Sequence, residues 1–178
     1  MRIRRYRQED LPSLVHIYHA AAQADGTEMM NDAEFEAWLT DPEADAVSNA
    51  VVITDDDDEL NPWGQAGTLD GLQGEIVGYT VVELHQDANG YHLLCKGAVH
   101  PDYRRRNAGR ALLMSALNRA HTLAAEFEFE AEEAGYPIYF EALFPVRDPA
   151  SARLATKCEM EPTGEPAPAG LRLYRREL

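Results

Sequence analysis

The run Val99-His100-Pro101-Asp102-Tyr103-Arg104-Arg105-Arg106-Asn107-Ala108-Gly109-Arg110-Ala111-Leu112-Leu113 restricts the fold more than any other stretch of the chain. Upstream, Tyr91 to Val99 is rich in strand-forming residues, and Pro101 stops it. Downstream, Leu112, Leu113, Ala116, Leu117, Ala120, Leu123 and Ala124 recur at helical spacing on one face. A strand that enters a helix through so short a turn aims unpaired N–H groups and the positive end of a helix dipole at one spot, which is the physics of an anion site. Arg104, Arg105, Arg106 and Arg110 add positive charge there. The Gly-Lys-Ser/Thr ending of a Walker loop is absent, and so is the Gly-x-Gly-x-x-Gly of a dinucleotide fold. The plain alternative is an exposed arginine-rich loop in front of a helix that serves only the core.

Composition narrows the partners. With 31 Asp+Glu against 16 Lys+Arg and a formal net charge of −15, most of the surface repels a polyanion, so a nucleic-acid partner is not expected. Length and a 45% hydrophobic content fit one domain over residues 1–178. No apolar stretch approaches the ~18 to 20 residues of a membrane span. The start Met1-Arg2-Ile3-Arg4-Arg5 lacks the apolar segment of a secretory signal, so a soluble, cytoplasmic protein with no membrane partner is expected. Cys95, in a predicted strand, and Cys158, in a predicted helix, read as buried thiols.

Along the chain, Met1 to Tyr6 predicts a strand, and Glu9 or Asp10 opens a helix that Gly26 ends. Asn31 or Asp32 caps a second helix carrying Phe35, Trp38 and Leu39. Ala50–Thr54 and Glu75–Leu84 predict strands, and Asp55 to Gly74 between them reads as an acidic loop without the ligand spacing of a calcium site. Asn89-Gly90 signals a hairpin turn into the Tyr91–Val99 strand. The next helix is expected to continue through Glu126-Phe127-Glu128-Phe129-Glu130 to Gly135, because Ala120, Ala124, Phe127 and Ala131 keep its spacing. Pro137–Phe144 is then a strand, Pro149–Met160 a helix and Leu171–Arg175 a last strand, with Pro162–Gly170 a turn-rich link. His16 and His19 read as surface residues, and His92 and Cys95, three apart on a strand, point to opposite faces and form no metal site.

This order, together with Arg104-x-x-Asn107-x-Gly109, resembles the GNAT superfamily of N-acetyltransferases, whose acyl-coenzyme A loop is Gln/Arg-x-x-Gly-x-Gly/Ala. The departure is Asn107, a residue that tolerates the left-handed conformation better than most. The resemblance implies an α/β fold: a mixed, mainly antiparallel twisted sheet of about six to seven strands, flanked by about four helices in three layers. It implies acetyl-coenzyme A as co-substrate, entering where the fourth and fifth strands splay apart. Gly97, Ala98 and Val99 then pair with the pantetheine arm, and Arg104, Arg105, Arg106, Asn107, Ala108, Gly109 and Arg110 wrap the pyrophosphate. Asp148, in place of a family asparagine, joins that set.

Acyl transfer to an amine needs the amine neutral, hence a base, and a donor can protonate the departing thiolate. Phe140-Glu141-Ala142 resembles a family stretch that places a glutamate near the amine, so Glu141 is the first candidate base, with Glu83 and His92 as competitors. The family tyrosine that serves as acid is replaced by Ala155, its glycine by Glu159 and its phenylalanine by Met160. Ser151, Thr156, Tyr139 or water is left to act in its place. The implied activity is an N-acetyltransferase acting on a primary amine of a small molecule or peptide, with a homodimer as a possible assembly. The alternative is a catalytically silent acyl-coenzyme A binding module.

Overall fold

The two longest strand-forming runs are buried on both faces along most of their length and form the centre of the sheet. The computed structural model describes residues 1–42, 45–55 and 74–178. Its strands are β1 (Arg2–Arg5), β2 (Ala50–Asp55), β3 (Glu75–Asp87), β4 (Gly90–Val99), β5 (Ile138–Pro145), β6 (Glu161–Pro162) and β7 (Leu171–Glu177). They form one seven-stranded sheet in the order β1-β2-β3-β4-β5-β7-β6. Every neighbouring pair is antiparallel except β4 and β5. The helices are α1 (Leu11–Asp25), α2 (Asp32–Leu39), α3 (Ala46–Asn49), α4 (Ala108–Ala134) and α5 (Pro149–Lys157). The helix α3 and the two-residue β6 are additions to what the sequence predicts; both are too short to carry a periodic signal.

Two helical layers cover the sheet. On one face Leu14 and Ile17 of α1 and Phe35 and Leu39 of α2 pack on Val52, Tyr79 and Val81. On the other, Leu113, Ala116, Leu117, Ala120 and Ala124 of α4 pack on Val82, Leu93, Cys95 and Phe140. The alanine stripe lets α4 lie close to the strands, which is how a helix spanning Ala108–Ala134 crosses the whole sheet. Within its alternating Glu/Phe segment only Phe127 turns inward, stacking on Tyr91 at 4.5 Å, while Phe129 is 80% exposed. Helical spacing therefore overrides the strand-like alternation.

Local chemistry explains the joints. Asn31 accepts from the Glu34 N–H at 3.0 Å and the Glu34 carboxylate accepts from the Asn31 N–H at 2.8 Å, a reciprocal cap for α2. The β3–β4 turn is centred on Ala88 and Asn89, one residue earlier than Asn89-Gly90. Gly90 instead starts β4 at φ 141°, where a side chain would press a Cβ to 2.4 Å from the Pro137 carbonyl oxygen. Cys95 and Cys158 are free, buried thiols. His16 is exposed, but His19 is half-buried and its Nε2 lies 3.2 Å from the Met30 carbonyl, so its surface reading needs correcting. Residues 56–73, which include the acidic loop, lie outside the described residues.

After α5 the chain turns at Glu159 with φ 60°, a left-handed conformation that costs any residue but glycine roughly 1 kcal/mol or more. Among the described residues its side chain contacts Arg176 at 3.3 Å while 81% exposed, a pairing worth little. Glu159→Gly is therefore expected to stabilise the protein by about 0.5–1 kcal/mol. Urea denaturation at neutral pH measures it; a loss of stability would mean that the Arg176 contact outweighs the backbone strain.

Candidate active site

Pairing between β4 and β5 runs from Tyr91–Ile138 to Cys95–Ala142 and stops there. Beyond it β4 stays with β3 up to Gly78–Val99, and β5 stays with β7 up to Pro145–Leu171. The two strands thus follow their outer neighbours and open a gap between Lys96–Val99 and Leu143–Pro145. A cavity of about 1040 Å³ fills this gap. It runs from Tyr18, Met30 and Trp38 beside α1 and α2, past Gly97, Ala98 and Val99, to Asn107, Gly109 and Arg110 at the start of α4 and to Ser151 and Leu154 on α5. Gly97 is on its wall, and a Cβ there would lie 2.4 Å from the Tyr79 carbonyl oxygen, so the glycine serves the close approach of β3.

The α4 end carries the anion-site physics. Asn107 takes φ 67°, as its tolerance of that region predicts, and Arg105 takes φ 68°. The first intrahelical bond is Ala111 N–H to the Asn107 carbonyl, and the Asn107 side chain makes no capping bond. The N–H groups of Ala108, Gly109 and Arg110 therefore have no partner inside the helix. An ideal Cβ on Gly109 meets nothing nearer than 3.8 Å, so this glycine opens space in the cleft and none in the packing.

The arginines divide by role. Arg104 donates through both Nη atoms to the two carboxylate oxygens of Asp25, at 2.7 and 2.8 Å, and through Nε to the Val99 carbonyl at 3.2 Å. Its guanidinium thus ties the end of α1 to the loop and is not free to face a phosphate. Arg105 donates to Asp148 at 3.0 Å but is 65% exposed, and Arg106 lies over the Tyr103 ring, off the cleft wall. Asp148 accepts from the Ala150 N–H and the Ser151 hydroxyl at the start of α5, so its carboxylate caps that helix and steers Arg105. Arg110 lines the cleft, and so do Arg153 and Lys157 of α5, which sequence reasoning missed. Their signal was an i, i+4 pair of cations in an acidic chain.

The candidate bases are distributed differently from expectation. Glu141 is buried against His92 Nδ1 at 3.1 Å and Arg175 Nε at 2.6 Å, and neither Glu141 nor His92 belongs to the cleft wall. Alternation along β4 and β5 turns both toward the face away from α4, into a closed charge network. Glu83 also lies behind the wall, but its carboxylate holds two residues of it: the Lys96 ammonium at 2.8 Å and the Trp38 indole N–H. Burial pushes the Glu83 carboxyl up, yet its bonds to Lys96, Trp38 and His85 outweigh burial and hold it below the ordinary carboxylate range. It is an ionised anchor, poorly suited to taking a proton.

No phenol replaces the missing acid on α5. Ala155 is fully buried in the core beneath α5, and Leu154 is the side chain turned to the cleft. Of the three substitutes only Ser151 lines the cleft; Thr156 and Tyr139 do not. Tyr79 and Cys95, also on the wall, are held protonated by burial, the thiol pushed up to about 11. Among the described residues no group of three or more His, Cys, Asp or Glu side chains is placed to hold a metal ion, and no helix is long and apolar enough to cross a membrane.

The sequence profile described as the acetyltransferase (GNAT) family matches residues 24–139. Among solved structures, a phosphinothricin acetyltransferase of the GNAT superfamily from Sinorhizobium meliloti, in complex with AcCoA, is similar with a TM-score of 0.67 and 17% identity, over 99% of this chain and 88% of that one. A ribosomal-protein-alanine N-acetyltransferase from Brucella melitensis is similar with a TM-score of 0.62 and 18% identity over 100% of both chains. Arabidopsis thaliana NAA60, in complex with a bisubstrate analogue, is similar with a TM-score of 0.62 and 12% identity, over 99% of this chain and 98% of that one. No curated protein sequence matches the chain. At these identities the structural likeness bears on the fold, which has the expected mixed and mostly antiparallel sheet, with five helices against about four.

Because the folded pKa of Glu83 lies below its unfolded value near 4.5, its contribution to stability is complete above that pH and is lost as pH falls through the folded pKa. Glu83→Gln is expected to cost about 1–3 kcal/mol at pH 7, by leaving Lys96 unpaired, and to flatten the acid limb of stability below pH 4.5. Urea denaturation from pH 7 down to pH 3 reads both; an acid limb as steep as in the parent chain would remove Glu83 from the ionised set.

Proposed function

Since this chain belongs to the acetyltransferase (GNAT) family, we propose that it transfers an acetyl group from acetyl-coenzyme A to a primary amine of a small molecule or peptide, with residues 1–178 acting as one domain. The observation that carries this reading is the β4–β5 gap and its continuity with the start of α4. The edges left by Lys96–Val99 offer backbone donors and acceptors to an extended amide-bearing arm, and the unpaired N–H groups of Ala108, Gly109 and Arg110 offer a cap to a pyrophosphate. The residues present fit the ligand: an elongated cleft, a glycine whose missing Cβ leaves room, and cations at the phosphate end. In this reading the backbone of Gly97, Ala98 and Val99 holds the pantetheine, and Arg105, Asn107, Ala108, Gly109 and Arg110 hold the pyrophosphate. Arg104 and Asp148 fix the loop and Arg105 respectively, and Arg106 adds long-range charge.

The thioester supplies an activated acyl carbon and a good leaving group. What this chain adds there is the Lys96 ammonium, next in sequence to the pantetheine-pairing residues and ion-paired to Glu83 at 2.8 Å. A cation beside the acceptor lowers the pKa of an incoming amine and so enlarges its neutral fraction without a dedicated base. The same charge stabilises the oxyanion that develops on the acyl carbonyl. The proton lost by the amine leaves through water in the open cleft, and the thiolate is protonated by solvent or by the Ser151 hydroxyl. A silent acyl-coenzyme A binding module remains the second reading, supported by the buried Ala155 and by the absence of Glu141 and His92 from the cleft wall.

Calorimetric titration with acetyl-coenzyme A, followed by thiol release against a panel of amines, tests both readings. Micromolar binding with amine-dependent thiol release is expected; binding without release selects the silent module, and no binding rejects both. Gly109→Val is expected to leave the melting temperature unchanged, because its Cβ has room, while weakening acetyl-coenzyme A by at least about tenfold. Unaltered affinity would move the pyrophosphate elsewhere. Lys96→Met is expected to lower the turnover number about 10- to 100-fold with little change in acetyl-coenzyme A affinity; a loss confined to binding would make Lys96 a ligand contact only.

A further inference from the structure

The unpaired N–H groups of α4 match one anion, yet the cleft carries positive charge beyond them. Arg153 and Lys157 stand at i and i+4 on α5, on one face, and both line the cleft. Leu154 beside them lies 3.8 Å from the Cβ position of Gly109, which brings this face of α5 against the first turn of α4. Arg110 on that turn lines the same end of the cavity, and its charge reaches Cys158, one turn along α5 from Leu154. None of the three makes an ion pair with a described residue, in a chain with 31 acidic and 16 basic side chains. The acids nearest in sequence are engaged elsewhere: Asp148 is turned to Arg105 and the start of α5, and Glu159 lies 3.3 Å from Arg176.

Like charges at i, i+4 destabilise a helix slightly, by about 0.2–0.5 kcal/mol, and an anion bound between them would relieve that repulsion. Lys157 also suits the C-terminal end of its helix, but Arg153, a turn earlier, has no such role. Coenzyme A carries two anionic groups, the pyrophosphate and a 3′-phosphate on the ribose. A phosphate monoester of that kind bears about −1.5 to −2 charges at neutral pH and three strong acceptor oxygens. The first group is met by the start of α4.

We propose that Arg153 and Lys157, together with Arg110, bind the 3′-phosphate of coenzyme A and make the protein select coenzyme A over dephospho-coenzyme A. This rests on the acetyl-coenzyme A reading above and adds to it a recognition element outside the glycine loop. Arg153 contributes the forked donor that a phosphate matches, and Lys157 a mobile point charge.

Calorimetry of the full chain with coenzyme A and with dephospho-coenzyme A, at low and at moderate salt, decides it. Coenzyme A is expected to bind at least about tenfold more tightly than the dephospho form, with the ratio shrinking as salt rises. In the double variant Arg153→Ala/Lys157→Ala the two ligands are expected to bind alike, at the affinity of the parent for dephospho-coenzyme A. Both side chains are exposed, so the fold tolerates their loss, and an unchanged melting temperature verifies this. Equal binding of the two ligands by the parent chain, or a ratio that survives in the double variant, overturns the proposal while leaving the acetyl-coenzyme A reading intact. Failure of both ligands to bind the parent removes that reading and the proposal with it.

Discussion

The parallel contact between β4 and β5 is made and then given up, and the rest of the structure is arranged around that choice. Five register pairs hold the strands from Tyr91 to Cys95, after which each strand follows its antiparallel neighbour. Gly97 lets β4 press against the Tyr79 carbonyl, and Pro145 keeps its register with Leu171, so the separation is enforced from both sides. Backbone groups left without a partner inside a fold are costly, so the gap must be wet or filled. It opens onto the first turn of α4, where three more N–H groups lack partners inside the helix. One cleft thus collects unsatisfied backbone from two different elements, and a ligand with amides at one end and phosphates at the other satisfies both.

Charge is distributed to the same end. Arg105 and Arg110 line the cleft around the start of α4, and Arg153 and Lys157 line it along α5. In a chain with a net charge of −15, such a group of cations draws anions toward one mouth. The Asp25–Arg104 pair lies just inside it, with both carboxylate oxygens and both guanidinium nitrogens engaged. That bond joins α1 to the loop after β4, two elements 79 residues apart in sequence, and holds the loop shape before any ligand arrives. The loop is thereby organised by an ion pair whose donors are already engaged by Asp25 and Val99.

The fold was legible where periodicity was strong. Leu112 through Ala124 and Tyr91 through Val99 announced a helix and a strand, and Asn107 was correctly read as a residue able to take a left-handed turn. The short elements α3 and β6 left no trace because four and two residues cannot express a period. The site was legible only as far as local sequence determines it. The glycine loop, with its backbone donors, follows from adjacent residues. The direction of Glu141 follows from alternation along β5 and from Arg175 on the next strand, a partner 34 residues away that no local pattern reveals. Arg104 and Asp148 were read as ligands because their charges and positions fit, but Asp25 and the start of α5 engage them first. Arg153 and Lys157 went unread because a pair of cations on a helix is ordinary until the helix is seen to line the cleft.

In the proposed acyl transfer, a developed cofactor end beside an acceptor end without a phenol on α5 fits the demands of the chemistry. Phosphates and a pantetheine arm must be held by groups fixed in advance, because each donor left without its acceptor weakens the complex. The acyl step is less exacting. A thiolate leaves without prior protonation more readily than an alkoxide or amide ion would, so an acid adds a factor and is not a condition for turnover. Ala155 can then be given to packing, and its full burial under α5 shows that it has been. Neutralising the amine is the harder requirement, and in the proposed reaction a charged neighbour would meet it by shifting the amine's own equilibrium. The Lys96–Glu83–Trp38 cluster has that character: one cation faces the cleft, its counter-ion is buried behind it, and an indole N–H holds the counter-ion in place.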